Sequence, residues 1–135
     1  HNCIIENKVI SPIKENSNFV TRFNLDYPNG NPPQENVTLV IKTNKRKIPE
    51  LGLVTRGYKF VNEESETIKG DEFTKYIYEY GSLKEGTTHE ILIIASTGSV
   101  NSDKDLTTPI YVSLENKEGK IIGGEVNIKI ESNQT

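Results

Sequence analysis

The chain has 135 residues, with 16 Lys and Arg against 19 Asp and Glu and a net charge of −3. Both signs are interspersed, so no basic stripe is available to release counterions from nucleic acid or to hold an anionic membrane, and no apolar run approaches bilayer-spanning length. One domain of this size buries about two-thirds of the surface its unfolded chain exposes. Its apolar fraction is 33%, without Trp or Met, which leaves the core to Ile, Val, Leu, Tyr and Phe, a set that suits pleated sheet.

The first stretch, Cys3 to Ile13, is an apolar, strand-capable arm with Pro12 near its end. We expect residues 1–16 to be an arm or connector and residues 17–135 to form the domain. Period-two alternation then recurs between turn residues, and helical periodicity is nearly absent. Phe19, Thr21, Phe23, Leu25 and Tyr27 alternate with polar residues up to Pro28-Asn29-Gly30, and Pro32-Pro33 blocks continuation because proline donates nothing to a ladder. Val37, Leu39 and Ile41 form the next inward row. After the basic turn Asn44-Lys45-Arg46-Lys47 come Leu53-Val54 and Tyr58 to Val61. Residues 62–71 read as a polar loop in which Glu63, Glu64 and Glu66 are solvated.

Phe73 to Tyr80 is an aromatic-rich strand. It stops at Gly81, and a turn carrying Leu83 and Gly86 leads into the very apolar Ile91 to Ala95. A polar loop from Ser96 to Asp105 follows. Ile110 to Leu114 and the strand carrying Val126, Ile128 and Ile130 are joined through the hairpin turn Asn116-Lys117-Glu118-Gly119. Seven to nine strands at this spacing, without βαβ alternation, predict an all-β, immunoglobulin-like two-sheet sandwich.

Several of these elements together resemble the conserved-repeat immunoglobulin-like domain of bacterial and archaeal cell-surface proteins and spore appendages. The residues concerned are Asn29-Gly30, Pro32-Pro33, Asn36-Val37-Thr38, Ile48-Pro49-Glu50-Leu51, Tyr80-Gly81, Leu83 and Gly86-Thr87, within a span of about residues 17 to 131. The chain departs from that family at its end, where a hairpin from Pro109 to Glu131 replaces an Asn-x-Ala strand. The resemblance implies a structural or adhesive role on an extracellular, cell or spore surface, and it carries over no catalytic residue.

Little in the chain suggests chemistry. Nucleophilic catalysis needs a nucleophile, a base and an orienting group. His1 and His89 are the only imidazoles. A copper site of the kind found in polysaccharide mono-oxygenases would have to use both, but the chain is short for that family and has no disulfide, and His1 reads as a tag or cloning remnant. Asn101, Asp103 and Asp105 space three oxygen donors two apart, yet the glycine and glutamate of an EF-hand are missing, so only a looser calcium site is a candidate. No cofactor is expected. Asn127 alternates out of phase with Val126 and Ile128, which argues against a Lys–Asn isopeptide bond.

Two features point to partners. Ile91, Leu92, Ile93 and Ile94 are apolar on both faces of one strand, where a sandwich strand normally shows one face to water. Ile91 and Ile93 are therefore expected in a receiving surface, with Ile4, Ile5, Val9 and Ile10 of the arm either folded back as a first strand of the same domain or donated to a neighbour's sheet edge. Cys3 is unpaired within the chain and is a candidate intermolecular crosslink. These expectations describe a non-enzymatic subunit of a pilus, appendage or surface layer, with copies of itself or neighbouring domains as partners. The alternative is an adhesin that binds ligand through Tyr58, Tyr76, Tyr78 and Tyr80, although an aromatic row of this kind packs more readily between sheets.

Overall fold

The computed structural model describes residues 4–7, 12–100 and 106–133, with backbone alone for 4–7. Among these residues there are ten strands: β1 (Ile4–Asn7), β2 (Ile13–Lys14), β3 (Asn18–Tyr27), β4 (Gln34–Asn44), β5 (Glu50–Leu53), β6 (Lys59–Ile68), β7 (Asp71–Leu83), β8 (Thr87–Ser96), β9 (Leu106–Asn116) and β10 (Gly119–Glu131). They form two sheets, one of four strands in the order β1-β3-β8-β5 and one of six in the order β2-β10-β9-β4-β7-β6. The fold is the two-sheet sandwich that the alternation predicts.

Each sheet contributes its inward row to one core. Phe19, Phe23 and Leu25 of β3 and Ile91, Ile93 and Ala95 of β8 face Leu39 and Ile41 of β4, Ile110, Val112 and Leu114 of β9, and Ile128 and Ile130 of β10. Burying each large aliphatic or aromatic side chain contributes about 1.5–3 kcal/mol, the largest favourable contribution in the domain. Along β3 and β8 buried and more exposed positions alternate, because a slip of one residue would exchange the apolar row for the polar one.

Local chemistry sets the corners. The Asn44 side chain accepts hydrogen bonds from the Arg46 and Lys47 N–H groups at 3.0 and 2.9 Å, which folds the basic turn and delivers Ile48 into the core. At the β6–β7 hairpin, Lys69 and Gly70 both have positive φ, 51° and 86°, the geometry that a tight hairpin requires. Gly98 sits where a Cβ would lie 2.2 Å from the Arg46 carbonyl, so the loop after β8 closes on the basic turn only with glycine there. Glu15, 8% exposed, accepts from the Val100 and Asn133 N–H groups at 3.0 and 2.6 Å. These backbone donors, Asn133 foremost, hold its carboxyl below the usual range.

Three expectations are corrected or extended. Residues 62–71 are not a loop: β6 runs through Glu63, Glu64 and Glu66 and pairs with β7 from Lys59↔Glu79 to Ile68↔Asp71. Its polar sequence hid it, because an edge strand solvated on nearly every side shows no apolar period. The strand total therefore exceeds the seven to nine expected. Two pieces of residues 1–16 belong to the sheets: β1 pairs antiparallel with β3, from Ile4↔Asp26 to Asn7↔Phe23, and β2 pairs parallel with β10.

Two buried threonines test the energetics of the core. The Thr21 hydroxyl, 3% exposed, has no hydrogen-bond partner among the described residues. By contrast, Thr43, fully buried, donates to the Ile48 carbonyl at 3.1 Å and meets the Tyr76 hydroxyl. Chemical denaturation should therefore show Thr21→Val stabilising by about 1 kcal/mol and Thr43→Val destabilising by about 1–2 kcal/mol. Equal effects of the same sign would contradict this hydrogen-bond assignment.

Candidate interaction surface

The outward residues of the four-stranded sheet follow from register. Val20 lies opposite Ile94, and Ile94 opposite Gly52. In the next row Arg22 lies opposite Leu92, whose carbonyl accepts the Val54 N–H at 2.8 Å. Val20, Val54 and Ile94 are 54, 49 and 45% exposed, and Leu92 is half-buried. An apolar strip thus crosses the middle of this face. It ends at the Arg22–Glu90 ion pair, 3.4 Å apart and open to solvent, and at Asn18, Ser96 and Glu50.

The outer face of the other sheet is different. It is dominated by charged and polar groups, among them the Lys42–Glu66 pair at 2.8 Å. Phe73 and Tyr111, with ring centroids 5.7 Å apart, cover each other there. A shallow groove of about 480 Å³ runs past Lys42, Ser113, Glu115 and Gly123.

The expected receiving residues divide by parity. Ile91 and Ile93 are fully buried between the sheets, so they are core and cannot face a neighbour. Leu92 and Ile94 hold the outward positions. At Ile93 and Ile94 both edges of β8 are already paired, with β3 and β5, so no strand can add beside these residues. Doubly apolar sequence could have identified the strand as central, but only the direction of its pleat separates the two pairs.

The tyrosines divide as well. Tyr76 and Tyr78 are 8 and 6% exposed and belong to the core, which removes them from any ligand platform. Tyr58 and Tyr80 reach the rim, stacked at 4.8 Å and 9°. The Tyr80 hydroxyl hydrogen-bonds the His89 ring, through Nδ1 and at 3.0 Å from Nε2, and Thr87 Oγ1 lies 2.9 Å from Nε2. Burial, then the neighbouring Tyr80, pushes the Tyr58 phenol well up, and burial holds the His89 imidazole below its usual value near 6.5. Sequence reading missed this Tyr58–Tyr80–His89 cluster because its members lie on three different strands or turns.

Ile4 and Ile5 lie on β1, and the structure describes nothing of their side chains. His1, Cys3, Val9, Ile10, Asn101, Asp103 and Asp105 lie outside the described residues. Among the described residues, no three His, Cys, Asp or Glu side chains gather as a metal site would require, and no helix is long and apolar enough to cross a membrane.

The architecture is shared with solved structures of very different sequence. AvmM, described as catalysing macrocyclization in alchivemycin A biosynthesis, superposes with a TM-score of 0.60 at 7% identity, over 99% of this chain and 91% of that one. A cohesin module from a Clostridium perfringens family 33 glycoside hydrolase superposes with a TM-score of 0.56 at 10% identity, over 97% and 98%. At these identities the likeness is one of fold. No family profile and no curated protein matches the chain.

The buried imidazole has a pH signature. His89 is harder to protonate folded than unfolded, so acidification loads protons onto the unfolded chain first. Its contribution is complete above about pH 6.5 and declines as pH falls through that value towards the depressed folded pKa. His89→Gln should flatten the stability profile below about pH 6.5 in denaturant titrations. An unchanged slope there would show His89 to be freely solvated.

Proposed function

We propose that the chain is a non-enzymatic assembly module of an extracellular surface structure, attached to its neighbours through protein–protein contacts. The observation that carries this reading is the exposed apolar strip of Val20, Val54, Leu92 and Ile94. Such a strip on a sandwich face that elsewhere favours polar residues marks an interaction site. The cohesin module is a sandwich of similar extent inside a larger protein, which supports reading this chain as a module of the same general kind. The resemblance to conserved-repeat surface domains points to the same setting.

Within this reading the amino-terminal arm supplies a second contact. β1 is four residues long and pairs only with β3, whose strand is ten residues long. The equivalent segment of a neighbouring copy can make the same main-chain hydrogen bonds, an exchange that Ile4, Ile5, Val9 and Ile10 would direct and Cys3 would lock covalently. A second reading, an adhesin, draws on the solvent-reaching Tyr58–Tyr80 stack, which offers one aromatic face at the rim. Among the described residues His89 meets Tyr80 and Thr87 and no carboxylate, which favours a structural imidazole over a catalytic one.

Electron microscopy and light scattering of the full chain, oxidised and reduced, test the proposal. Oligomers or filaments are expected. Reduction and Cys3→Ser should loosen them, and Ile5→Pro should shorten them by removing a ladder donor from β1. Single particles of constant mass under every condition would overturn assembly and direct attention to glycan binding at Tyr58 and Tyr80.

A further inference from the structure

The apolar face of the four-stranded sheet carries projections and a hollow side by side. Val54 stands out after β5, and Ile94 and Val20 stand in the neighbouring row. Gly52 has no side chain, and a recess of about 280 Å³ opens beside it, bounded by Ile94, Asn18, Glu50 and Ser96. Projection and hollow both belong to the β5 column, separated by the distance between adjacent outward residues.

We propose that this face is self-complementary and takes a second copy of the same chain. The two-fold axis crosses the strands between the row of Ile94 and the row of Leu92. The inference rests on reading the chain as an assembly module and names its partner. Rotation about that axis exchanges the two rows. Ile94 then lies over Leu92 of the second copy, and Val54 enters the recess beside its Gly52; both contacts repeat in reverse. Two sheets stacked in this way sit about 10 Å apart with strands aligned within about 30°, the ordinary geometry of face-to-face sheets.

The polar rows support a second copy over a strongly charged partner. Under the same rotation the row of Asn18 and Ser96 meets the row of Asn24 and Glu90. The Glu90 carboxylate is thereby set against the Ser96 hydroxyl and the Asn18 amide, with Glu50 one column away in the same row. Arg22 pairs with Glu90 within each copy at 3.4 Å, so that carboxylate is not free for a basic partner. The central strip is apolar and the rim polar, as in stable interfaces.

Sedimentation equilibrium of the full chain, reduced so that Cys3 forms no crosslink, tests the interface with two variants. Gly52 is outside the left-handed region, and a Cβ there would meet only Ile94 Cγ2 at 3.6 Å, an ordinary contact. Gly52→Val is therefore compatible with the strand. It fills the recess while adding apolar surface. Ile94→Lys alters an exposed position and leaves the core untouched, and circular dichroism checks that both variants keep the fold.

Wild type should double its mass with rising concentration, and each variant should weaken dimerisation at least tenfold. General stickiness of an apolar patch predicts the opposite for Gly52→Val, since more apolar area would preserve or strengthen association. Dimers unaffected by Gly52→Val therefore overturn the interface, including the case in which an unrelated apolar segment occupies the face. Oligomers insensitive to both variants but dispersed by Ile5→Pro also overturn it, while leaving the assembly reading standing. A chain that stays monomeric throughout overturns both.

Discussion

The structure depends on one constraint: the inward rows of two sheets must meet in register. Phe23, Ile91 and Ile93 from one sheet are fully buried, as are Leu39, Ile41 and Ile110 from the other. A strand in this arrangement has one free choice, which parity of its residues faces inward, and a slip by one residue reverses it for the whole strand. Because ladders link β3 to β8, β8 to β5, and β4 to both β7 and β9, the parity of each central strand fixes that of its neighbours. What appears on the outside is therefore the complement of what the core selects.

This complement gives the two faces their separate characters. On the four-stranded sheet, the residues left outside include Val20, Leu92 and Ile94, with Val54 continuing the strip, and Gly52 leaves a hollow among them. On the six-stranded sheet, the outward positions are largely charged, and its long edge strand β6 carries three glutamates and an irregularity between Phe60 and Asn62. Charges and bulges of this kind discourage strand addition at an edge. The molecule thus blunts one exposed edge while carrying an apolar strip across one face, a distribution suited to contact through faces.

The rim cluster of Tyr58, Tyr80 and His89 shows how the sandwich ends are closed. Each ring contributes apolar area between the sheets and keeps one polar atom near the boundary, where the Tyr80 hydroxyl and Thr87 satisfy the imidazole. At the opposite corner, Glu15 and Thr97 do comparable work for the backbone: the Thr97 hydroxyl donates to the Lys14 carbonyl at 2.6 Å and accepts the Ser17 N–H at 3.0 Å. Buried polar groups at both ends are thus paired, and the core between them is apolar apart from buried threonines such as Thr21 and Thr43.

Much of this was legible in the sequence and part was not, for physical reasons. Alternation in Phe19 to Tyr27 and in Val126 to Ile130, the turn at Asn116 to Gly119 and the lack of helical period determined an all-β sandwich, because a strand's side chains alternate whatever its neighbours are. The doubly apolar run Ile91 to Ile94 marked β8 as a strand that is apolar on both faces. It could not reveal that Ile91 and Ile93 belong to the core and Leu92 and Ile94 to the surface, since parity is decided by pairing with β3 and β5. The polar strand β6 was invisible for a related reason: its order comes from hydrogen bonds to β7, which leave no hydrophobic trace. The sequence by itself determined the strands with a buried face. The tertiary structure alone decided which residues each face shows, because that follows from contacts between segments far apart in the chain.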